Sequence, residues 1–358
     1  MKFHVARASL FALALSACAA QPQAEAPAPK AALAPGAREV PSKVITAPGG
    51  VSPEMAKLIG SPLAPFWNTD PKTPAEWKTW VAQRAEVSIG IARDAAAKFG
   101  VKYEKITLGG VPAYMVTPAN IAPANRNRLL FHVHGGGYVL SPGEAAVTEA
   151  INMAYYGGFR VVSVDYRMPP DAPYPAAMDD AMAAYKAAIK MAKPKNMAVF
   201  GTSTGGGMTL ALILRAKAEH LPLPAAIAPG TPWADLTETG DTYFTNEFVD
   251  NVLVSWKGWL GRAAKLYAGN VDLKDPQLSP IYGDMHGFPP TILTTGTRDL
   301  FLSNTVRVHR KLRDSGVTAD LNVYEGQSHA QYGANPFAPE TKEAFTDIAK
   351  FFDKYLGK

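Results

Sequence analysis

Beyond about residue 50 the chain alternates between two hydrophobic periods. Thr73 has the chemistry of a helix cap, Pro74 suits a first helical turn, and the pattern from Ala75 to Phe99 stays helical until Gly100 stops it. "VKYEKITLGGVPAYMVTPA" reads as two strands around a Gly-Gly turn. Further on, "RLLFHVH", "FRVVSVDY", "MAVFGTS", "AAIAPG", "PTILTTGT" and "TADLNVYEG" read as strands. Between them, "TEAINMAYYGG", "AAMDDAMAAYKAAIKMAK", "MTLALILRAKAEH", "TVRVHRKLRDSG" and "KEAFTDIAKFFDKYL" read as helices. The third of these is apolar nearly all round, which predicts a buried helix. Strand-helix alternation of this kind predicts an α/β fold with a mostly parallel central sheet flanked by helices. Right-handed crossovers then gather the loops that follow the strands along one carboxyl edge, where sites form. An aromatic-rich insertion from about Asp235 to Pro276 interrupts the alternation.

The first fifty residues follow a different pattern. "MKFHVARASLFALALSACAA" has Lys2 and Arg7, a short apolar run from about Ala8 to Leu15, and then small residues. This predicts a secretory signal over 1–17, too short to span a bilayer. Leu15-Ser16-Ala17-Cys18 resembles a bacterial lipobox, which implies cleavage before Cys18 and lipidation of its thiol; a plain signal would be cleaved near Ala19 or Ala20. Cys18 is the only cysteine, so no internal disulfide can form, and acylation explains the residue better than pairing does. The expectation is an exported lipoprotein, held to a membrane through Cys18 and facing the periplasm or the cell exterior. Residues 18–50, rich in Ala, Pro and Gln, predict a disordered tether, leaving 51–358 as the folded domain. A formal charge of +5 with no dense Lys/Arg block argues against nucleic acid as a partner. No internal repeat and no metal-ligand spacing is apparent.

Chemistry concentrates in "AVFGTSTGGGMTLAL", residues 198 to 212. The glycines at 201, 205, 206 and 207 do not fit a dinucleotide fingerprint, and a phosphate loop would need Lys and Ser/Thr where Met208 follows Gly207. Gly201-Thr202-Ser203-Thr204-Gly205 does fit a Gly-x-Ser-x-Gly turn between a strand and a helix. A serine in a strained backbone region crowds the residues two before and two after it, which must then be small. The following helix aims its N-terminal amides at the site. About seventy residues upstream, His134-Gly135-Gly136-Gly137 directly follows a strand. Glycines let main-chain amides approach a developing oxyanion to about 3 Å, where they contribute several kcal/mol.

In such a fold the acid and then the base follow the serine. Of the later histidines, His220 ends the buried helix, His286 precedes the strand that would carry the acid, and His309 lies on a helix facing solvent or a neighbouring carboxylate. His329 in "VYEGQSHAQY" lies just beyond the last strand and is the candidate base. Asp299 in "TILTTGTRDLF" is the candidate acid, with Glu325 as its rival; Asp165, Asp179 and Asp180 precede the serine and read as structural.

"HGGG", "GTSTGG", "DYRMPPDAPYPAAMDD", "TRDL" and "SHAQY", in that order from about residue 75 to the C-terminus, resemble the bacterial hormone-sensitive-lipase group (family IV) within the α/β-hydrolase fold. Thr202 before the serine is similar to the branch whose elbow reads Gly-Thr-Ser-Ala-Gly. The resemblance implies a carboxylic ester hydrolase using Ser203, His329 and Asp299, with an oxyanion hole from the amides of Gly136, Gly137 and Thr204, and no cofactor or metal. It implies small esters with short acyl chains, with lactones as a further class. It also implies a helical cap, here about 51–99 plus the insertion 235–276. Relatives form dimers, so a homodimer is compatible with the resemblance, though nothing in the chain decides it. A lipase for longer chains and a non-catalytic surface binding protein are the alternatives. Thr204 stands where the group has alanine; beside the oxyanion hole its side chain is expected to tune acyl preference. Trp67, Trp77, Trp80, Phe244, Phe248 and Trp256 are candidates for an apolar pocket, though such residues are more often core.

Overall fold

The computed structural model describes residues 36–357. The expected signal over 1–17 and the lipidation site Cys18 lie outside the described residues. The chain divides into two units, Met1–Ile45 and Thr46–Lys358. Of the first, residues 36–45 are described and carry neither helix nor strand. The folded unit opens a few residues earlier than the expected end of the tether, because Pro48 packs against the turn at Gly326.

Eight strands form one sheet: β1 (Lys102–Leu108), β2 (Val111–Thr117), β3 (Leu129–Val133), β4 (Val161–Val164), β5 (Met197–Thr202), β6 (Ala226–Gly230), β7 (Thr291–Gly296) and β8 (Ala319–Tyr324). Their order is β1-β2-β4-β3-β5-β6-β7-β8. The β1–β2 hairpin and the β2–β4 pairing are antiparallel, and every other neighbour is parallel. This is the α/β-hydrolase fold, with a mostly parallel sheet. The helices are α1 (Pro53–Ile59), α2 (Pro74–Phe99), α3 (Thr148–Gly157), α4 (Ala176–Met191), α5 (Thr204–Ala218), α6 (Thr242–Thr245), α7 (Trp259–Ala268), α8 (Leu302–Asp314), α9 (Gln331–Ala334) and α10 (Pro339–Tyr355). No helix among the described residues is long and apolar enough to cross a membrane.

Central strands are apolar on both faces, as parallel strands covered twice must be. Phe131, Val133, Val199 and Leu293 face α4, α5 and α8, whereas Leu130, Phe200, Ala228 and Ile292 face α3, α10 and the second half of α2. The start of α2 follows from its cap: Thr73 accepts from the Glu76 amide while Glu76 reaches back to the Thr73 amide.

Two stretches outside the strand-helix repeat pack together over the carboxyl edge of the sheet. The Ala64 amide donates to the Asn251 carbonyl at 2.9 Å, and the Trp259 amide donates to the Trp67 carbonyl at 2.9 Å. Gly258 makes that approach possible, since a Cβ there would lie 1.9 Å from the Trp67 carbonyl oxygen. Trp80 of α2 meets Trp259 of α7 at 5.5 Å between ring centroids.

Candidate active site

The turn between β5 and α5 is one residue long. Ser203 has φ 65° and ψ −124°, a conformation that L-residues avoid, and α5 begins at the next position. The two flanking glycines are sterically required. A Cβ at Gly201 would fall 2.0 Å from the Val133 carbonyl oxygen, and one at Gly205 would fall 2.1 Å from the same atom. The end of β3 is thus wedged against the turn, and the main chain holds it there. The Ser203 amide donates to the Gly230 carbonyl, while the Ser203 carbonyl accepts from the amides of Gly207 and Trp233. The helix expected from Met208 therefore begins four residues sooner, at Thr204, because this tightly held turn feeds straight into it.

The loop after β3 faces this turn. A Cβ at Gly135 would lie 2.6 Å from the Thr202 carbonyl oxygen and 3.2 Å from the Ser203 Cβ. Gly136 and Gly137 have φ of 122° and 65°, and a Cβ at Gly137 would strike the Trp259 ring at 2.5 Å. The amides of Gly136, Gly137 and Thr204 meet no acceptor among the described residues. His134 supports the loop from behind. Its imidazole stacks on Tyr166 at 4.0 Å and, through Nδ1, donates to the Gly135 carbonyl at 2.8 Å. Burial pulls its pKa down to about 3, so it is neutral and structural.

His329 and Asp299, thirty positions apart and on different loops, meet in the interior. Nδ1 of His329 lies 3.0 Å from Asp299 Oδ1, to which it donates. The same oxygen accepts from the Phe301 amide at 2.7 Å, and Oδ2 accepts from the hydroxyls of Thr295 and Thr231. The carboxylate is fully buried yet well supplied with donors, the condition under which a buried charge is tolerated. Phe301 fixes the imidazole with an edge contact at 4.8 Å. Nε2 of His329 has no hydrogen-bond partner among the described residues. Ser203 and His329 line one cavity of about 390 Å³, together with His134, Gly135, Gly136 and Gly137.

The other candidates go elsewhere. His309 is half-buried and donates to the Ala319 carbonyl at 3.1 Å rather than to a carboxylate. His286 is exposed beside Asp284, and Glu325 is exposed and meets no imidazole. Asp165 accepts from the Gly143 amide, Asp179 pairs with Arg215, and Asp180 pairs with Arg167. Thr204 corrects an expectation: its side chain is fully buried towards the Tyr166 hydroxyl and forms no part of the cavity wall. None of the six candidate pocket aromatics lines the cavity. Trp77 and Trp80 are core, Phe244 and Phe248 are exposed, and the wall instead uses Phe66, Trp259 and Phe345.

Two carboxylates at the site were not singled out from the sequence. Asp250, in the insertion, accepts from the amides of Val252 and Leu253 with Oδ1, and from Leu300 and His329 with Oδ2. It thereby ties the loops of Asp299 and His329 together. Burial, and then the charge of Asp299, push its pKa up, while His329 opposes them. Glu149 of α3 holds the turn from the other side. It accepts from the Thr202 amide and hydroxyl and meets His132 Nε2 at 3.1 Å. With its one proton given to Glu149, the Thr202 hydroxyl accepts from Tyr332 at 2.8 Å. Lone aspartates and glutamates in otherwise unmarked segments carry no local signal for such roles.

Comparison with known proteins places the chain among relatives of the same fold. Residues 130–333 match the model of a family described as alpha/beta hydrolase fold. An esterase of Acinetobacter venetianus is 29% identical over 252 residues, covering 70% of this chain and 82% of its own length. Among solved structures, an esterase named E25 superposes with a TM-score of 0.86 at 42% identity, covering 89% of this chain and 99% of that one. An esterase from the bacterial hormone-sensitive lipase family does so with a TM-score of 0.68 at 28% identity, covering 77% and 99%. With its fold, its serine turn and these relatives in agreement, the chain belongs to the alpha/beta hydrolase fold family.

Proposed function

We propose that this protein is a serine carboxylesterase for esters with short acyl chains, working through Ser203, His329 and Asp299. The observation that carries the reading is an imidazole fixed at Nδ1 by a buried carboxylate while its Nε2 stays unengaged, bordering the same cavity as the strained serine. Ser203 Oγ attacks the ester carbonyl carbon, and its proton passes to His329 Nε2. The carbonyl oxygen becomes an oxyanion and accepts hydrogen bonds from the amides of Gly136, Gly137 and Thr204. As the tetrahedral intermediate collapses, the alcohol leaves with the proton returned by His329, and the acyl group stays on Ser203. Water, deprotonated by His329, then attacks that acyl carbon, and the acid departs as the serine recovers its proton. Asp299 holds the imidazole in the productive tautomer and compensates its charge while it is protonated.

The stretches 51–99 and 235–276 would act as the cap, closing the cavity over the bound ester. A cavity of about 390 Å³ suits a small acyl group, and lactones of similar size are candidate substrates. The test is a series of 4-nitrophenyl esters from acetate to palmitate, assayed with Ser203→Ala and with fluorophosphonate labelling. The expected result is a maximum at short chains, labelling of Ser203, and loss of at least about a thousandfold in kcat for Ser203→Ala. A maximum at long chains would make the enzyme a lipase. No turnover and no labelling would make it a binding protein built on the same fold.

We also propose export and anchoring through a lipid on Cys18, on the strength of Leu15-Ser16-Ala17-Cys18 after an apolar run. Cys18→Ala should move the protein from the membrane fraction to the soluble one and abolish incorporation of labelled fatty acid.

A further inference from the structure

The cavity before Ser203 holds a cation for which ester hydrolysis has no need. α2 presents Arg84 and, one turn later, Ser88 to its wall. The guanidinium carbon of Arg84 sits 3.7 Å from the centroid of the Phe66 ring, and Phe66, also in the wall, leans on Trp80 at 6.4 Å. The planar head is therefore held on an apolar support, a pose that leaves its donor edge free. Among the described residues Arg84 has no carboxylate partner and makes no hydrogen bond. Arg93, Arg167 and Arg215, by contrast, each pair with a carboxylate. Among the described residues of the wall Arg84 is the only Lys or Arg. The one carboxylate among the described residues of the wall, Glu149, is engaged by Thr202 and His132. Partial burial disfavours the charge of Arg84, yet an arginine keeps its proton. A half-buried, oriented and unpaired cation facing a binding cavity is stabilised when a ligand supplies the anion.

We propose that Arg84 anchors an anion subsite, and that the preferred substrates are esters carrying a carboxylate at a distance from the scissile carbonyl. The guanidinium fork takes that carboxylate through two parallel N–H donors, and the Ser88 hydroxyl offers a further donor beside it. This proposal rests on the esterase reading of the same cavity.

Three esters test it. 4-Nitrophenyl butyrate is neutral, mono-4-nitrophenyl glutarate adds a carboxylate to the same acyl chain, and 4-(butyryloxy)benzoate carries one on the leaving group. For wild type, Arg84→Gln and Arg84→Lys, the readout is the ratio of kcat/KM for each anionic ester to that for the neutral one, corrected for spontaneous hydrolysis. For at least one anionic ester the ratio should fall about tenfold in Arg84→Gln and recover in part in Arg84→Lys. In the wild type that ratio should also fall from low to high ionic strength. The same ratios in wild type and Arg84→Gln for both anionic esters would overturn the subsite. If Arg84→Gln does not fold, a wild-type ratio that ignores salt overturns it instead. A wild type that turns over none of the three and leaves Ser203 unlabelled is a separate result, which defeats the esterase reading and the subsite with it.

Discussion

At the residue scale the loops of Asp299 and His329 depend on a buried carboxylate whose acceptors are all in use. Asp250 accepts four main-chain amides, two of them from the loops of Asp299 and His329. Asp250→Asn puts an NH2 group where an acceptor is needed, so two N–H groups face a donor whichever way the amide turns. We expect a loss of about 2–3 kcal/mol in stability, read by urea unfolding. We also expect kcat to fall at least about tenfold, because the loops of Asp299 and His329 lose their common tie, and KM to rise with it, because Val252 and Leu253 in the cavity wall lose their acceptor. The residues with local signals were legible in advance. Ser203 is marked by the small residues its strain demands, His134 to Gly137 by a glycine run after a strand, and His329 and Asp299 by position after late strands. Asp250 and Glu149 were not legible, because their roles arise from contacts with residues tens of positions away. Thr204 misled for a related reason: its neighbour in sequence is the serine of the turn, whereas its side chain turns inward to Tyr166.

At the element scale the strands were the most readable part, since a parallel strand buried on both faces shows as a short apolar run. Helix ends were readable where a cap marks them, as at Thr73, and not where the chain passes from strand to helix through one strained residue, as at Ser203. The sheet order and the small helices α1, α6 and α9 had no periodic signature at all. The two stretches above the carboxyl edge meet where Gly258 admits the Trp67 carbonyl. Gly258→Ala should push these stretches apart. KM for 4-nitrophenyl butyrate is expected to rise several-fold, roughly 1 kcal/mol of lost binding, and limited proteolysis near residues 60–70 should speed up. Unchanged KM and unchanged proteolysis would show that the contact does not shape the cavity.

At the scale of the whole molecule, acid should weaken the fold through His134. Its folded pKa of about 3 lies below the ordinary value of 6.5, so between those limits the unfolded chain binds the proton more strongly. The contribution is complete above about pH 6.5 and is lost as pH falls towards 3. Asp250 works in the opposite sense, since its raised value makes the folded state the better proton binder in the carboxylate range. His134→Gln should therefore flatten the fall of unfolding free energy between pH 6.5 and 4, measured by urea titration. A variant with the wild-type slope would assign the acid sensitivity to other groups. The twisted main chain at Ser203 bears on robustness as well. Glycine adopts that geometry without penalty, so Ser203→Gly should be inert yet melt a few degrees higher than the wild type. Heat tolerance and turnover would then pull in opposite directions at one atom's attachment point, and selection for a hardier scaffold alone would erode the hydroxyl on which the proposed chemistry depends.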